Sequence, residues 1–460
     1  MTAQKTNTMK LDIKTLQQAV SSSAAAFRCR RKLQPAGGAG DKVFPPTFAG
    51  AVYAVEQRRV FGDDGKPLPE PKTCVVLDTV QSQANRMEQA LQEALDGGRI
   101  TIPVLKVDFS PWSPTGNKPE AERFIDDVGT ITSLQVPHRL ADAILRDSEY
   151  EEGTADKDRK KPKVAFRKCS KGKALNTVSQ QNATALYQLC PTALIFGMWD
   201  STGPKGGLGA KFERAMVSEV VGIGATLGDL LRGVRRDPIE ARATVKVLKP
   251  ADKNWSIAAA NATGAVFPSE VNHSSVPFPK QRDGKTEKNL YSGATIEYAE
   301  QLTTLSLIAL RRLRFPIPEH VEKEAKIKEA KTDEAKKAAE AKCAELQAAA
   351  NAAGQTVLAA LGLCAATLAF ENGMGLRSRC LLWPGATMEW ELLDKPGVTP
   401  TAYSLTGDEA IDLLTAAVKA ATAAGLTWEG TPVELVPQQK LVDLVRLGQL
   451  VATKEEGDAK

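Results

Sequence analysis

An α+β build follows from how the chain alternates. Strand-like and helix-like stretches mix without a regular strand–helix–strand rhythm. The 460 residues are 42% hydrophobic, which allows a substantial core in one large domain with insertions or in two to three ordinary domains. No internal repeat is visible.

Taken in order, residues 10–28 predict an opening helix that ends near QPAGGAG (34–40). FAGAVYAVEQRRV (48–60) is strand-like, and GDDGKPLPEP (62–71) is a turn-rich loop. Residues 73–98 predict a strand running into a helix. Asp78 is its expected N-cap, with Gln81 three residues on, and Gly97 or Gly98 closes it. Val80, Ala84, Met87, Leu91 and Ala94 form the apolar stripe, which leaves Gln81, Ser82, Asn85, Arg86 and Gln89 on the exposed face. Residues 101–109 predict a strand and 136–153 a helix. The segment 154–173 carries nine basic and two acidic residues, so it is either a surface loop or an electrostatic contact to nucleic acid.

Further on, 213–226 is strand-like, 244–290 is irregular with short hairpins, and 295–315 predicts a strong helix stopped by Pro316. Residues 319–350 predict a solvated helix, with seven lysines and eight acids over 319–345. Residues 357–370 are a short apolar run, below the ~20 residues that span a bilayer, and predict a buried helix. LRSRCLLWPG (376–385) reads as a strand with Arg377 and Arg379 on one face. Residues 407–425 predict a helix closed by Gly425, and 440–448 another. These segments divide the chain into a unit at 1–318, a charged helical insertion at 319–350, and a C-terminal part at 351–460.

Composition narrows the function. A net charge of +5 is modest for this length, so the placement of charge matters more than its sum. Seven cysteines without a C-x-x-C pair, and only three histidines, lack zinc-site spacing. Reduced thiols in a cytoplasmic protein are the expectation, and the first twenty residues lack the basic-then-apolar order of a signal peptide. None of His138, His273 and His320 lies in a nucleophile elbow or beside a cysteine. The acid pairs Asp63–Asp64 and Asp126–Asp127 fall in polar loops. No cofactor, metal or catalytic residue is expected.

The stretch FGMWDSTGPKGGLGAKFERA (196–215) reads as a strand stopping at a glycine-rich, lysine-bearing loop. It is not a Walker A loop, because Ala210 precedes Lys211 and Phe212 stands where Ser or Thr is needed. Glycines that admit a close approach, beside lysines that supply charge, fit a polymer phosphate backbone better than a nucleotide.

LDTVQSQANRMEQAL (77–91), FGMWDSTGPKGGLGAKFERAMVSEVVG (196–222), PSEVNH (268–273) and LSLIALRRLRFP (305–316), in that order, resemble a CRISPR-associated family. It is the RAMP-superfamily backbone ("Cas seven") subunit of the type I-G, formerly I-U, Cascade complex. The likeness runs in scattered blocks over residues 25–385. It implies an RRM-like, ferredoxin-like palm with inserted finger and thumb elements, 244–290 being the candidate thumb or hairpin region. It implies a non-catalytic subunit that polymerises along CRISPR RNA and presents the spacer to a target DNA strand. Its partners would be other copies of itself and other Cascade subunits, with no membrane involved. Carried over by position, Ser82, Gln83, Asn85 and Arg86, then Lys205, Gly206, Gly207, Gly209, Lys211 and Arg214, are the expected RNA contacts. The aromatic signature of a stacking-type RRM is absent. Two alternatives stand beside this one: a metal-dependent RNA-cleaving subunit using Asp63, Asp64 and Asp78, and a scaffold that binds only proteins.

Overall fold

A computed structural model describes residues 9–49, 52–62, 65–153, 162–201, 211–229, 245–248, 255–258, 262–268, 291–317, 332–428 and 430–458. Helices and sheets are mixed in an α+β fold, as the alternation predicts. A ten-stranded sheet is built from β1 (Met9–Lys10), β2 (Ala26–Pro35), β3 (Val55–Arg58), β4 (Lys72–Asp78), β5 (Met216–Ile223), β6 (Tyr298–Ser306), β7 (Met374–Arg377), β8 (Cys380–Pro384), β9 (Glu389–Leu393) and β10 (Thr401–Ser404). Its order is β1-β10-β9-β2-β6-β5-β4-β3, with β8 pairing β2 and β7 pairing β8. The central strands β2, β6, β5 and β4 are antiparallel, in a register that sets Arg30 opposite Leu302, Ser218 opposite Thr303 and Val75 opposite Gly222.

Two of these strands contradict the helices expected from sequence. Residues 10–28 divide into α1 (Ile13–Ser21) and the start of β2. Residues 295–315 hold β6, with only Leu307–Arg311 helical. In both, burial alternates residue by residue, the period of two that a half-buried strand requires. In β6 the β-branched Thr303 and Thr304 favour that conformation, and the helical reading of LTTLSLIALRRL overweights its leucines.

One face of the sheet is covered by helices. These are α1, α2 (Val80–Asp96), α3 (Asp333–Glu371) and α4 (Gly407–Ala423), α3 packing against the other three and against β6. The solvated helix expected at 319–350 and the buried one at 357–370 are one element within the described residues, so the division at 350/351 falls inside α3. Thr332 caps its start by accepting from the Ala335 amide. Its first turns are exposed, whereas every residue from Gly354 to Leu368 is buried, as an all-round apolar helix requires. The described part is long and apolar enough to cross a membrane, but 83% of its apolar window lies inside the protein, where it serves as the core helix.

A second sheet joins Lys163–Ala165, Ser148–Glu151, Val433–Pro437, Leu105–Asp108 and Thr130–Thr132. Val433–Pro437 lies parallel to Leu105–Asp108, so the C-terminal part is knitted into the first half of the chain. The helix expected at 136–153 is here a turn of 3-10 helix at Arg139–Ala141, a single α-turn at Ala143–Arg146 and the strand Ser148–Glu151. The strand expected at 376–385 is the hairpin β7–β8, whose turn places Arg379 at φ +55. Arg377 and Arg379 therefore part company, Arg377 turning to Asp78 and Arg379 lying over the Phe44 ring. The last helix, α5, runs from Gln439 to Asp458. All seven cysteines are buried thiols, and none is in a disulfide.

Candidate nucleic-acid interface

The strand-to-helix segment at 72–96 forms as predicted, but its cap is one residue later than expected. Thr79 accepts from the Ser82 amide, and Asp78 is the last residue of β4. The Asp78 carboxylate is 1% exposed. It accepts from Gln83 Nε2 at 2.7 Å and Arg86 Nε at 2.9 Å, and it faces the Arg377 guanidinium at 3.4 Å. Arg86 also donates to the Leu376 carbonyl, and Arg377 to the Leu77 carbonyl. Gln83 is buried, with its amide turned to the sheet, and only edges an opening beside α2. Its Oε1 accepts from Ser218 Oγ and Gln301 Nε2, both at 2.9 Å, which ties α2 to β5 and β6. A buried amide must be satisfied in this way, and here the sheet satisfies it.

A larger opening lies beyond the N-terminus of α2. It is a cleft of about 770 Å³, with Val80, Phe196, Phe212 and Val217 among its apolar lining and His138, Arg146, Trp199, Lys211 and Arg214 among its polar and aromatic lining. Ser201 and Lys211, which flank residues 202–210, both reach it. The strand expected to open the 196–215 stretch is only Met198–Trp199, preceded by the short helices Thr184–Leu189 and Thr192–Phe196. It pairs with Lys211–Phe212, Trp199 lying opposite Lys211. Lys211 and Arg214 are exposed and, among the described residues, neither faces a carboxylate. Glu213 is paired with Arg312 at 2.6 Å and Arg146 with Asp147 at 3.0 Å.

The root of this strand pair is fixed from below. Arg139 holds φ +50, a left-handed conformation rare for a long side chain. From there its guanidinium makes two 2.7 Å bonds to the buried Glu88 carboxylate and one of 3.0 Å to the Gly197 carbonyl. Burial raises the Glu88 carboxyl above its ordinary range, and the Arg139 guanidinium opposes that rise. Gly197 turns at φ +83, and a Cβ there would sit 3.1 Å from both Arg214 Cγ and the Phe212 carbonyl, so a glycine is required. On the other side Arg167, from the basic segment, pairs with the buried Asp200 at 2.9 Å. Part of that segment is thus structural: Phe166 and Cys169 are buried core residues.

The expected RNA contacts separate into two groups. Lys211 and Arg214 line the large cleft, whereas Gln83 and Arg86 line a second opening of about 360 Å³ between α2 and α3. Asn85 is exposed and Ser82 half-buried. Lys205, Gly206, Gly207 and Gly209 lie outside the described residues, as do Asp63, Asp64, His273, His320 and most of 244–290. Sequence reasoning misses Arg139 and Trp199, which line the cleft together with His138. A signal for Trp199 is present: an aromatic between an apolar run and a lysine-bearing glycine loop. The helix-free face of the main sheet is laced with ion pairs, Arg28 to Glu391 at 2.7 Å, Arg30 to Glu300 at 3.7 Å and Arg58 to Glu219 at 2.8 Å. Those arginines are already neutralised. Among the described residues, no group of three or more His, Cys, Asp and Glu side chains could hold a metal ion.

Residues 27–227 match the family model described as CRISPR-associated protein GSU0053, and the match supports a CRISPR-associated protein. The matched span covers less than half of the chain, yet it contains all of β2 but Ala26, and β4, α2, β5 and every lining residue of the large cleft. No curated protein matches the chain.

Proposed function

We propose that this chain is the non-catalytic backbone subunit of a type I-G Cascade complex, which polymerises along CRISPR RNA and presents its spacer to target DNA. On this proposal the main sheet and α2 are the RRM-like palm. Its partners are the guide RNA, the target strand through base pairing, further copies of itself and the other Cascade subunits, in the cytoplasm. The observation that carries it is the pair Lys211 and Arg214, exposed in a cleft beside the glycine-rich segment and, among the described residues, without carboxylates of their own. Unpaired cations on a rigid root suit phosphate, and repetition along a filament would multiply weak contacts. The metal-dependent alternative loses one of its residues, since Asp78 is buried under two arginines and a glutamine.

The test is single-stranded RNA binding by the full chain across a salt series. Steep salt dependence is expected. The double substitution Lys211→Ala/Arg214→Ala lowers both the affinity and the slope, by about 0.7 for each phosphate that is no longer neutralised. Unchanged affinity and slope in the double variant would remove this cleft from the RNA path.

A further inference from the structure

We infer that the 770 Å³ cleft receives one unstacked base of single-stranded RNA, with Trp199 as its stacking platform and Lys211 and Arg214 holding the adjoining phosphates. This inference rests on the RNA-binding proposal and deepens it. The Trp199 side chain stands out from its neighbours. Met198, beside it in the strand, and Phe212, across from Met198, are at most 9% exposed, whereas Trp199 is 58% exposed. A two-residue strand sends alternate side chains to opposite faces, so Met198 packs toward the core while Trp199 and its cross-strand partner Lys211 share the exposed face, and all three line the cleft. An exposed indole has no packing role of its own, and its π-face suits a nucleobase.

The cations make the choice of ligand. Trp199 is opposite Lys211 in the strand pair, and Arg214 lies three residues further along the same chain. A flat aromatic flanked by two cations that, among the described residues, face no carboxylate matches a base joined to its phosphates. Those cations give an acidic peptide charge contacts, but such a peptide offers no flat partner for the ring. The volume lies within the roughly 300–1,000 Å³ of small-ligand clefts, room for a nucleotide with water. Single strands are favoured because a base in a duplex is already stacked on its neighbours and cannot reach the ring. Stacking of this kind tolerates any base, so the cleft would hold the strand without reading its sequence.

The geometry is also held ready. Arg139 fixes the Gly197 carbonyl, and Arg167 fixes Asp200, so both sides of Trp199 are anchored to buried charges. The described residues on either side of the ring are thus held in place, which lowers the ordering cost of binding.

The experiment uses the full chain and a short single-stranded RNA carrying 2-aminopurine at successive positions. Affinity and fluorescence are read across a salt series for wild type, Trp199→Ala and Trp199→Phe. Wild type is expected to quench the probe. Trp199→Ala should lose about tenfold in affinity, the scale of one stacked base, with the salt slope unchanged. Trp199→Phe should keep most of both signals. If wild type binds steeply with salt and Trp199→Ala matches it in affinity and quenching, the base site falls while the RNA proposal stands. If wild type binds an acidic peptide but no RNA, both fall. Trp199 is exposed, so its substitution leaves the core intact, and circular dichroism checks this.

Discussion

Arg139 grips Glu88 through two 2.7 Å hydrogen bonds, joining the middle of α2 to the turn that carries Gly197 and Trp199. Both side chains are buried, at 10% and 2% exposure. Removing one partner leaves the other charged and unsolvated. Glu88→Gln or Arg139→Met should therefore cost about 3–5 kcal/mol in urea unfolding, far more than any exposed pair such as Lys342–Glu345. A cost under about 1 kcal/mol in both variants would contradict this role.

Asp78 makes the second prediction. It satisfies Gln83 and Arg86 and faces Arg377, so Asp78→Ala should cost about 3 kcal/mol and loosen the β7–β8 hairpin. Hydrogen exchange should rise first at Leu376 and Arg377. A variant that kept full stability while losing a magnesium-dependent activity would instead revive a metal role for this carboxylate.

Arg31 presents the opposite case. It is 5% exposed, lies 3.2 Å over the Phe370 ring, and bonds Cys29 Sγ through Nε, yet neither of its terminal nitrogens has a hydrogen-bond partner among the described residues. Burial lowers its pKa from the ordinary arginine range. A buried cation in this state costs stability, so Arg31→Met is expected to raise the unfolding free energy by about 1 kcal/mol or more. A loss of stability would mean that this guanidinium has a partner.

The start of α4 gives a pH test. Thr406 accepts from the Glu409 amide while the Glu409 carboxylate accepts from the Thr406 amide, a capping box. Thr406→Ala should cost about 1 kcal/mol. The backbone bond from Thr406 holds the Glu409 carboxyl below its usual 4.5, and Lys10 assists. Its contribution is therefore complete above pH 4.5 and is lost as pH falls through the lowered folded value. Urea midpoints measured from about pH 7 to about pH 3 should show this acid loss in wild type and less of it in Glu409→Gln.

Burial also makes a chemical prediction for the thiols. All seven are enclosed, and burial pushes the Cys364 thiol up to about 12. Iodoacetamide should leave the native protein unmodified and label all seven sites once it is unfolded. Rapid native labelling of Cys364 would contradict the packing of α3.

How much of this is legible in the sequence depends on whether local pattern and tertiary context agree. They agree in α2, where an apolar stripe and Gly97 define a helix, and in α4, closed by Gly425. They disagree in β6, where a leucine-rich stretch has helical propensity but lies between β2 and β5 and must supply a ladder to each. The apolar run within α3 reads as buried from its composition alone. Its continuity with the charged stretch before it does not, because composition changes sharply where the helix does not. At the candidate site, Lys211 and Arg214 are visible as loop charges. Gln83 misleads because three-residue spacing along a helix does not reveal that Ser218 and Gln301 wait on the sheet beneath it. Arg139 carries no local signal, since its partner Glu88 lies 51 residues earlier in the chain.

Assembly of many copies of this chain along RNA is measured by mass photometry of the full chain with single-stranded RNAs of increasing length. Complexes are expected whose mass rises in steps of one 49.3 kDa chain as the RNA lengthens, collapsing at high salt. A complex of fixed stoichiometry whatever the RNA length, or assembly of the protein without RNA, would contradict it.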